Sequence, residues 1–329
     1  MDNQSKTSAD AGSTAAPEGR GSGLDGARAV VTGGDGFLGR HLVAALSGHG
    51  AEILVVDDGR SGREPMESPP GCARVWSDFR DQTALRAIRE FDPTVVFHLA
   101  AMHFVPDCDR EPTACLDNNV LGTERLLAAL RKTSVDAVVF CSSAVVYGFA
   151  EQPRRETDDL TPKHIYAHSK WLGEGLMRSF HQDRTDVRVV SARLFNLIGP
   201  GDTARHVIPE IVDAVAAGHE LQLGNVWPRR DYIHVADVAS ALCALAVGEP
   251  VSTAVNVGTG VGRSVADALD TLAEIMGHPP VVHRDPARER STDGHLVADV
   301  TLLSSLTGWQ PEWTFEATLR ELLSATGSR

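Results

Sequence analysis

The sequence lacks a run of basic residues, a long apolar run and paired cysteines. Its 329 residues carry a formal net charge of −13, a sign that repels a phosphate backbone and argues against nucleic acid as a partner. No apolar stretch approaches the roughly 20 residues that a membrane-spanning helix needs. The five cysteines are odd in number and form no CxxC pair. This usage favours a reducing, cytoplasmic compartment.

Large apolar side chains are nearly absent from residues 1–26, which are rich in Gly, Ser, Ala and Asp. Such a composition cannot bury enough surface to offset the entropy lost on ordering. The segment also has no apolar core of a secretory signal. We therefore expect residues 1–26 to form a disordered tail.

From residue 28 onward, short apolar runs rich in β-branched residues alternate with amphipathic helical patterns. This alternation predicts an α/β fold with a Rossmann-type doubly wound parallel sheet covered on both faces. Pro and Gly become more frequent after Asn196, which indicates a smaller mixed lobe. The expected organisation is a dinucleotide-binding domain over 27–197, to which the chain returns around 231–258, and a substrate lobe over 198–329.

A glycine-rich turn follows the first predicted strand and opens the first predicted helix. Gly33, Gly36 and Gly39 allow a tight turn there and let backbone amides approach a pyrophosphate, while the helix N-terminus adds partial positive charge. The turn therefore predicts a dinucleotide site, in which Phe37 and Leu38 also take part.

An acidic residue ends the second predicted strand. Asp57 lies 18 residues after Gly39, close to the ~20 that separate these features in dinucleotide-binding folds. Its carboxylate would accept hydrogen bonds from ribose hydroxyls and repel a 2′-phosphate, which favours NAD. Arg60 and Arg63 follow directly and leave NADP as an alternative.

The third predicted strand is followed by Asp78 and Phe79, which we count among the cofactor contacts, with Asp78 at the adenine amine. A helix N-cap is the other interpretation of Asp78, although Asp81 fits that role better.

Tyr166 and Lys170 are four residues apart on a predicted helix and therefore share a face. A nearby ammonium and a positive nicotinamide ring would favour the phenolate, which can take a proton from a sugar hydroxyl. Ser142 and Ser143 end the preceding strand, at the sheet edge where ligands bind. His164 and His168 are also four residues apart, but without a third ligand nearby no metal site is expected.

The ordered set of motifs resembles the extended branch of the short-chain dehydrogenase/reductase superfamily, and within it the nucleotide-sugar epimerases and dehydratases, over about 27–323. The stretches that carry the resemblance are TGGDGFLG (32–39), FHLAA (97–101), NVLGT (119–123), SSAVVYG (142–148), YAHSK (166–170), RLFN (193–196) and RDYIHV (230–235).

The resemblance implies roles for individual residues. Tyr166 would be the catalytic base and a cofactor contact, Lys170 its electrostatic partner and a ligand of the nicotinamide ribose, and Ser143 a hydroxyl relay. Further cofactor contacts would come from Leu99, Ala100, Ala101 and Asn119. Substrate contacts would come from Ser142, Ser143, His103, Asn196, Arg230, Arg290 and Asp293. For His103, an extra acid/base group and a structural histidine are both open.

The resemblance also narrows the reaction. A 4,6-dehydratase of this type has Asp-Glu directly after the catalytic hydroxyl residue, where this chain has Ala144 and Val145. A 4-ketoreductase uses NADPH, which Asp57 disfavours, and a decarboxylase differs over 230–235. The sequence is most similar to UDP-hexose 4-epimerases, so we expect a homodimeric NAD-dependent 4-epimerase. The alternatives are a ketoreductase or decarboxylase of the same family, a GDP-sugar substrate and a non-catalytic dinucleotide sensor.

Overall fold

Residues 23–60, 67–202, 206–289 and 294–326 are described by a computed structural model of the chain. Its strands are β1 (Arg28–Thr32), β2 (Glu52–Asp57), β3 (Cys72–Trp76), β4 (Val95–His98), β5 (Ala137–Ser143), β6 (Arg188–Leu194), β7 (Asn196–Ile198), β8 (Leu221–Leu223), β9 (Arg230–His234), β10 (Ser252–Val257), β11 (Gly262–Arg263) and β12 (Val282–Arg284).

The α-helices are α1 (Phe37–Gly48), α2 (Gln82–Phe91), α3 (Val105–Arg110), α4 (Pro112–Leu116), α5 (Gly122–Leu130), α6 (Ile165–Asp183), α7 (Val207–Ala216), α8 (Val235–Leu245), α9 (Val265–Met276), α10 (Thr301–Thr307) and α11 (Phe315–Thr326). A π-helical turn, Asp117–Leu121, joins α4 to α5, and short 3₁₀ turns occupy Ala144–Val146 and Pro286–Arg288. Within the described residues, no helix is long and apolar enough to cross a membrane.

The large sheet has the strand order β10-β6-β5-β4-β1-β2-β3, and every pair of neighbouring strands in it is parallel. Because β1 lies between β2 and β4, the chain reverses its direction of winding beside β1, and a crevice opens at the carboxyl ends of these strands. The prediction of a Rossmann-type doubly wound sheet is confirmed.

Two apolar cores cover the faces of this sheet. On one face, α1 and α8 pack against the strands through residues such as Leu42, Leu46 and Leu242. On the other face, α2, α5 and α6 contribute Ile88, Leu126 and other buried side chains. Strands that are buried on both faces explain why their sequences are continuous apolar runs rather than alternating ones.

The smaller lobe is mixed, as predicted. It contains the three-stranded sheet β11-β9-β7, the two-stranded sheet β12-β8, and a separate core beneath α7, α9 and α11. The return to the large domain starts slightly later than the expected residue 231, because β9 pairs with β7 in the lobe. α8 and β10 then pack on and extend the large sheet.

The N-terminal segment departs from the expectation at its end. Residues 1–22 lie outside the described residues, but Leu24 is buried in the core of the large domain. The amide of Gly26 donates to the carbonyl of Gly50 at 3.3 Å. Leu24 is the one large aliphatic side chain between residues 2 and 26, and its burial draws residues 23–26 into the fold.

A buried histidine connects the glycine-rich turn to the helices opposite. The hydroxyl of Thr123 donates to the carbonyl of Asn119 at 2.7 Å, so His98 Nε2 donates to Thr123 at 2.9 Å and its Nδ1 accepts from Thr32 at 2.7 Å. Burial, followed by the charge of Lys170, lowers the pKa of His98 to about 3. The imidazole is therefore neutral in the folded protein.

This histidine predicts a loss of stability in mild acid. Because the folded pKa lies below the ordinary value of 6.5, protons bind the unfolded chain preferentially between those values. The free energy of unfolding then falls as pH falls below 6.5, by at most about 1.4 kcal/mol per pH unit for one group. Urea unfolding of the wild type and of His98→Gln at several pH values measures the difference, which should shrink with acidity. A constant difference would contradict the assignment.

Candidate active site

The glycine-rich turn lies against the loop that follows β4. Gly33 has a φ of +74°, and a Cβ there would lie 2.9 Å from the amide nitrogen of Ala100. The amides of Leu99 and Ala100 donate to the carbonyl of Thr32 at 3.1 and 3.0 Å. A Cβ on Gly39 would lie 2.2 Å from the carbonyl of Gly33. Glycine is therefore required at Gly33 by conformation and at Gly39 by close packing of helix on turn.

Asp57 occupies the end of β2 beside this turn, as predicted. Its side chain accepts the amide of Asp35 at 3.0 Å and the amide of Gly59 at 2.8 Å. The residue is 8% exposed. Burial raises the pKa of Asp57, and the two backbone hydrogen bonds oppose that rise.

These features fit a dinucleotide. The N-cap of α1 is Gly36, which has no side chain to occupy the helix N-terminus, and the first turn, with Phe37 and Leu38, carries no acidic residue. A phosphate can therefore approach the helix N-terminus, while Asp57 lies where ribose hydroxyls are bound in such folds.

The two cofactor contacts predicted after β3, Asp78 and Phe79, lie in different environments. Asp78 accepts from the backbone amide of Arg80 at 2.9 Å and from its Nε at 2.8 Å, which lowers the pKa of the carboxyl group. The ring of Phe79 is buried beside His98, so its side chain belongs to the core. Asp81 occupies the N-cap position of α2, although its side chain makes no capping hydrogen bond.

Ser143, Tyr166 and Lys170 are brought together at the carboxyl end of β5. Ser143 caps the 3₁₀ turn that follows the strand, and its hydroxyl lies close enough to Tyr166 to act on the pKa of the phenol. The ammonium of Lys170 lies 5.8 Å from the centroid of the Tyr166 ring and donates to the carbonyl of Cys141 at 2.8 Å. His164, the N-cap of α6, accepts the amide of Ala167 through its ring at 3.2 Å.

The protein without its coenzyme does not by itself favour the phenolate of Tyr166. Tyr166 is partly exposed as a residue, but desolvation of its hydroxyl raises its pKa, and the nearby Ser143 hydroxyl opposes this rise only in part. Burial lowers the pKa of Lys170 to about 8. The protein alone therefore holds the phenol protonated, so the positive charge of a bound nicotinamide is needed to favour the phenolate.

Asn119 positions the loop after β4. It lies in the π-helical turn, a distortion frequent at functional sites. Its Oδ1 accepts the amide of Met102 at 2.8 Å, and its Nδ2 donates to the Met102 carbonyl at 2.8 Å and to Ser169 at 2.9 Å. The amide thus ties the loop carrying Ala101 and His103 to the helix that carries Tyr166.

The two adjacent serines have separate environments. Ser142 is 2% exposed and donates its hydroxyl to Glu174 at 2.6 Å, so the prediction that Ser142 contacts the substrate does not fit the structure. Glu174 is fully buried and receives Arg193 Nε at 2.9 Å and Nη2 at 2.7 Å. Arg193 also donates to the hydroxyl of Tyr147 at 2.6 Å.

The buried ion pair between Glu174 and Arg193 was not predicted from the sequence. The signals available were a charged residue within the apolar strand β6 and an acidic residue four positions after Lys170 on α6, on the face turned to the sheet.

The lobe contributes Arg230 beside a cavity of about 750 Å³, which β8, β9 and α7 also line. Its guanidinium stacks 4.4 Å from the ring centroid of Phe149 and donates to the carbonyl of Arg229 at 2.7 Å. Within the described ranges, no carboxylate pairs with Arg230. Burial lowers its pKa.

Neighbouring residues complete this side of the crevice. Asp231 is fully buried and accepts the amides of Thr259 and Gly260 at 2.8 and 2.9 Å, which fixes the strand on which Arg230 lies.

Asn196 is exposed at the start of β7, two strands from β11. His103 is exposed on the loop after β4, near enough to His206 and Lys170 for their charges to act on it.

Two predicted diphosphate and nucleoside contacts, Arg290 and Asp293, lie outside the described residues.

Among the residues that are described, no cluster of three His, Cys, Asp or Glu side chains is arranged to hold a metal ion.

The fold and this site define an NAD-dependent enzyme of the nucleotide-sugar-modifying type. The chain belongs to the NAD dependent epimerase/dehydratase family, whose model matches residues 29–258. The predicted family, fold class, enzyme class and cofactor are thereby confirmed.

Individual relatives agree with this assignment. The UDP-glucose 4-epimerase of Rhizobium meliloti (strain 1021) is 30% identical over 312 residues, covering 88% of this chain and 93% of the relative. The GDP-6-deoxy-D-mannose reductase of Pseudomonas aeruginosa is 30% identical over 313 residues, covering 92% and 98%. The structure of the Thermus thermophilus UDP-glucose 4-epimerase in complex with NAD superposes with a TM-score of 0.80 at 33% identity, covering 91% of this chain and 98% of that one.

Proposed function

We propose that the protein is a UDP-hexose 4-epimerase that acts through a transient 4-keto sugar. The observation that carries the proposal is the 3₁₀ turn directly after Ser143. Ala144 and Val145 stand there, Ala144 is buried, and neither can donate or accept a proton through its side chain. The site therefore has the hydroxyl pair for oxidation at a carbinol but no carboxyl pair in this turn to eliminate water.

Side chains of the protein itself would transfer the proton of the reacting hydroxyl. Tyr166 accepts that proton, Ser143 holds the hydroxyl against the phenol, and Lys170 places a positive charge behind the ring. NAD held by the glycine-rich turn and Asp57 would supply the acceptor and the donor for the hydride of C4. Tyr166 gives its proton back in the second half of the reaction, so no external acid or base is consumed.

A diphosphate-linked substrate is supported by the charge of the lobe. Arg230 borders the 750 Å³ cavity, is partly desolvated and has no carboxylate partner within the described part of the chain. A guanidinium in this state binds phosphate oxygens through two parallel hydrogen bonds. We assign the cavity to the nucleotide and the crevice near Tyr166 to the sugar.

Replacing Arg230 should therefore weaken substrate binding more than the chemistry. We expect Arg230→Met to raise KM for the nucleotide sugar by about 30-fold, since a charge-assisted contact contributes roughly 2 kcal/mol, while kcat changes little. Arg263→Met is the matched control, because Arg263 lies opposite Arg230 on β11. A fall in kcat with an unchanged KM would contradict the assignment.

The direct assay uses the protein as purified, without added coenzyme. Incubation with UDP-glucose should give UDP-galactose until the two reach equilibrium, and the reverse reaction should reach the same ratio. A panel with UDP-, dTDP- and GDP-sugars tests the nucleotide. Conversion that requires added NADPH, or that yields a reduced 6-deoxy sugar, would replace the proposal with the ketoreductase alternative that one of the relatives bears in its name.

We further propose that the chain acts as a homodimer. Leu121, Trp171 and Leu172 remain 53%, 42% and 45% exposed beside the α5–α6 surface, an apolar set that a second copy would cover. Sedimentation equilibrium should give twice the mass of the chain, and a monomer would contradict this part of the proposal.

A further inference from the structure

The glycine-rich turn carries an acidic residue whose charge the dinucleotide site does not explain. Asp35 lies between Gly34 and Gly36, and its side chain is only 2% exposed. Its carboxylate accepts from Arg74 Nη2 at 3.1 Å, and its second oxygen lies 3.0 Å from Arg74 Nε. Arg74 is on β3, two strands away from the turn, and its side chain is 10% exposed.

The Asp35–Arg74 ion pair lies next to Asp57, the carboxylate that we expect to bind the ribose hydroxyls. The backbone amide of Asp35 donates to Asp57 at 3.0 Å, so the residue that pairs with Arg74 also orients Asp57. Asp57 is also aligned with Trp76 in the sheet register, and the Arg74 guanidinium lies 5.4 Å from the centroid of the Trp76 ring. A buried arginine therefore lies at the ribose end of the cofactor site, where a 2′-phosphate would need a cation.

We propose that Asp35 and Arg74 form a charge-compensated pair that, together with Asp57, sets the preference for NAD over NADP. Arg74 alone would be a receptor for a 2′-phosphate, because guanidinium groups bind phosphate bidentately. The Asp35 carboxylate occupies that fork and cancels its charge. Selectivity against NADP then depends on two carboxylates, one facing the ribose hydroxyls and one holding the arginine.

The pair predicts opposite effects for its two members. Asp35→Asn removes the negative charge, keeps the shape of the side chain and leaves the cation, so the affinity for NADP relative to NAD should rise about tenfold. Arg74→Gln removes the cation and leaves a second carboxylate beside Asp57, so the relative affinity for NADP should fall below that of the wild type. The double variant should lie near the wild type.

The experiment reads bound nucleotide and does not depend on turnover. Each full-length protein is equilibrated with a mixture of NAD and excess NADP until the bound ratio is constant. The nucleotides are then released by denaturation and quantified by chromatography. Glu90→Gln is the matched control, because it breaks an exposed arginine–carboxylate pair on α2 that has no contact with the site.

The proposal is overturned if Asp35→Asn leaves the bound ratio unchanged or if Arg74→Gln increases the NADP share. It is also overturned if the double variant keeps the full gain of Asp35→Asn, since repulsion alone would then account for the effect. If one single variant does not fold, the other decides, because the two signs are opposite. Epimerase activity plays no part in the readout, so failure of the proposed substrate would leave this result standing.

Discussion

Replacing Tyr166 with phenylalanine should lower kcat for UDP-hexose interconversion by about 10³-fold, within the range for loss of a general acid/base group. The ring and its packing remain, and only the hydroxyl that exchanges the proton is lost. Ser143 is held by its cap of the 3₁₀ turn, and Lys170 by the carbonyl of Cys141. Neither contact involves the Tyr166 hydroxyl, so both neighbours should keep their places in the variant. Initial rates with UDP-glucose and UDP-galactose measure the effect.

Two observations make this result specific. The NAD content of the purified Tyr166→Phe protein should equal that of the wild type, because the glycine-rich turn and Asp57 are untouched. Ser179→Ala, on the exposed side of the same helix, should retain full activity. If Tyr166→Phe interconverts the hexoses at the wild-type rate, the assignment of the base is wrong.

The second large effect concerns stability. Glu174→Gln should lower the free energy of unfolding by about 3–5 kcal/mol, the cost of leaving one member of a buried ion pair uncompensated. The Glu174 carboxylate raises the pKa of Arg193 against the effect of burial, and Glu174→Gln removes that support. Because a guanidinium keeps its proton in proteins, Arg193 then remains as a buried charge without a counterion. Urea denaturation of the wild type and the variant measures the difference.

An exposed pair is the comparison for this experiment. Arg86 and Glu90 are 2.7 Å apart on α2, but their side chains are 75% and 63% exposed, and such pairs contribute little. Glu90→Gln should therefore change the unfolding free energy by less than about 0.5 kcal/mol. Equal effects of Glu174→Gln and Glu90→Gln would show that the buried network does not hold β5, α6 and β6 together.

Much of the fold was predictable because its signals are local. The bounds of the helix Val265–Met276 follow from adjacent residues, since Ser264 and Asp267 form a capping box at its start and Gly277 ends it in a left-handed conformation. The glycine-rich turn, Asp57 and the Tyr166–Lys170 pair are equally local, because each depends on spacing within one element or between neighbouring elements.

Other parts of the site were not predictable, because they depend on which face of an element meets its neighbour. Ser142 and Ser143 are consecutive on β5, so their side chains point to opposite sides, and only the folded sheet shows that Ser142 faces Glu174. Asn119 lies in a π-helical turn, and no pattern in the sequence predicts that such a turn forms there. The Asp35–Arg74 pair joins residues 39 positions apart on separate elements.

The most direct test of the central claim follows the hydrogen at C4. UDP-glucose deuterated at C4 is incubated with the purified protein in ordinary water, and the UDP-galactose formed is analysed by mass spectrometry and NMR. We predict that the product keeps the deuterium at C4, because the hydride removed from C4 is returned to C4 within the same site. Loss of the deuterium to solvent, or product formation only with added NADPH, would contradict it.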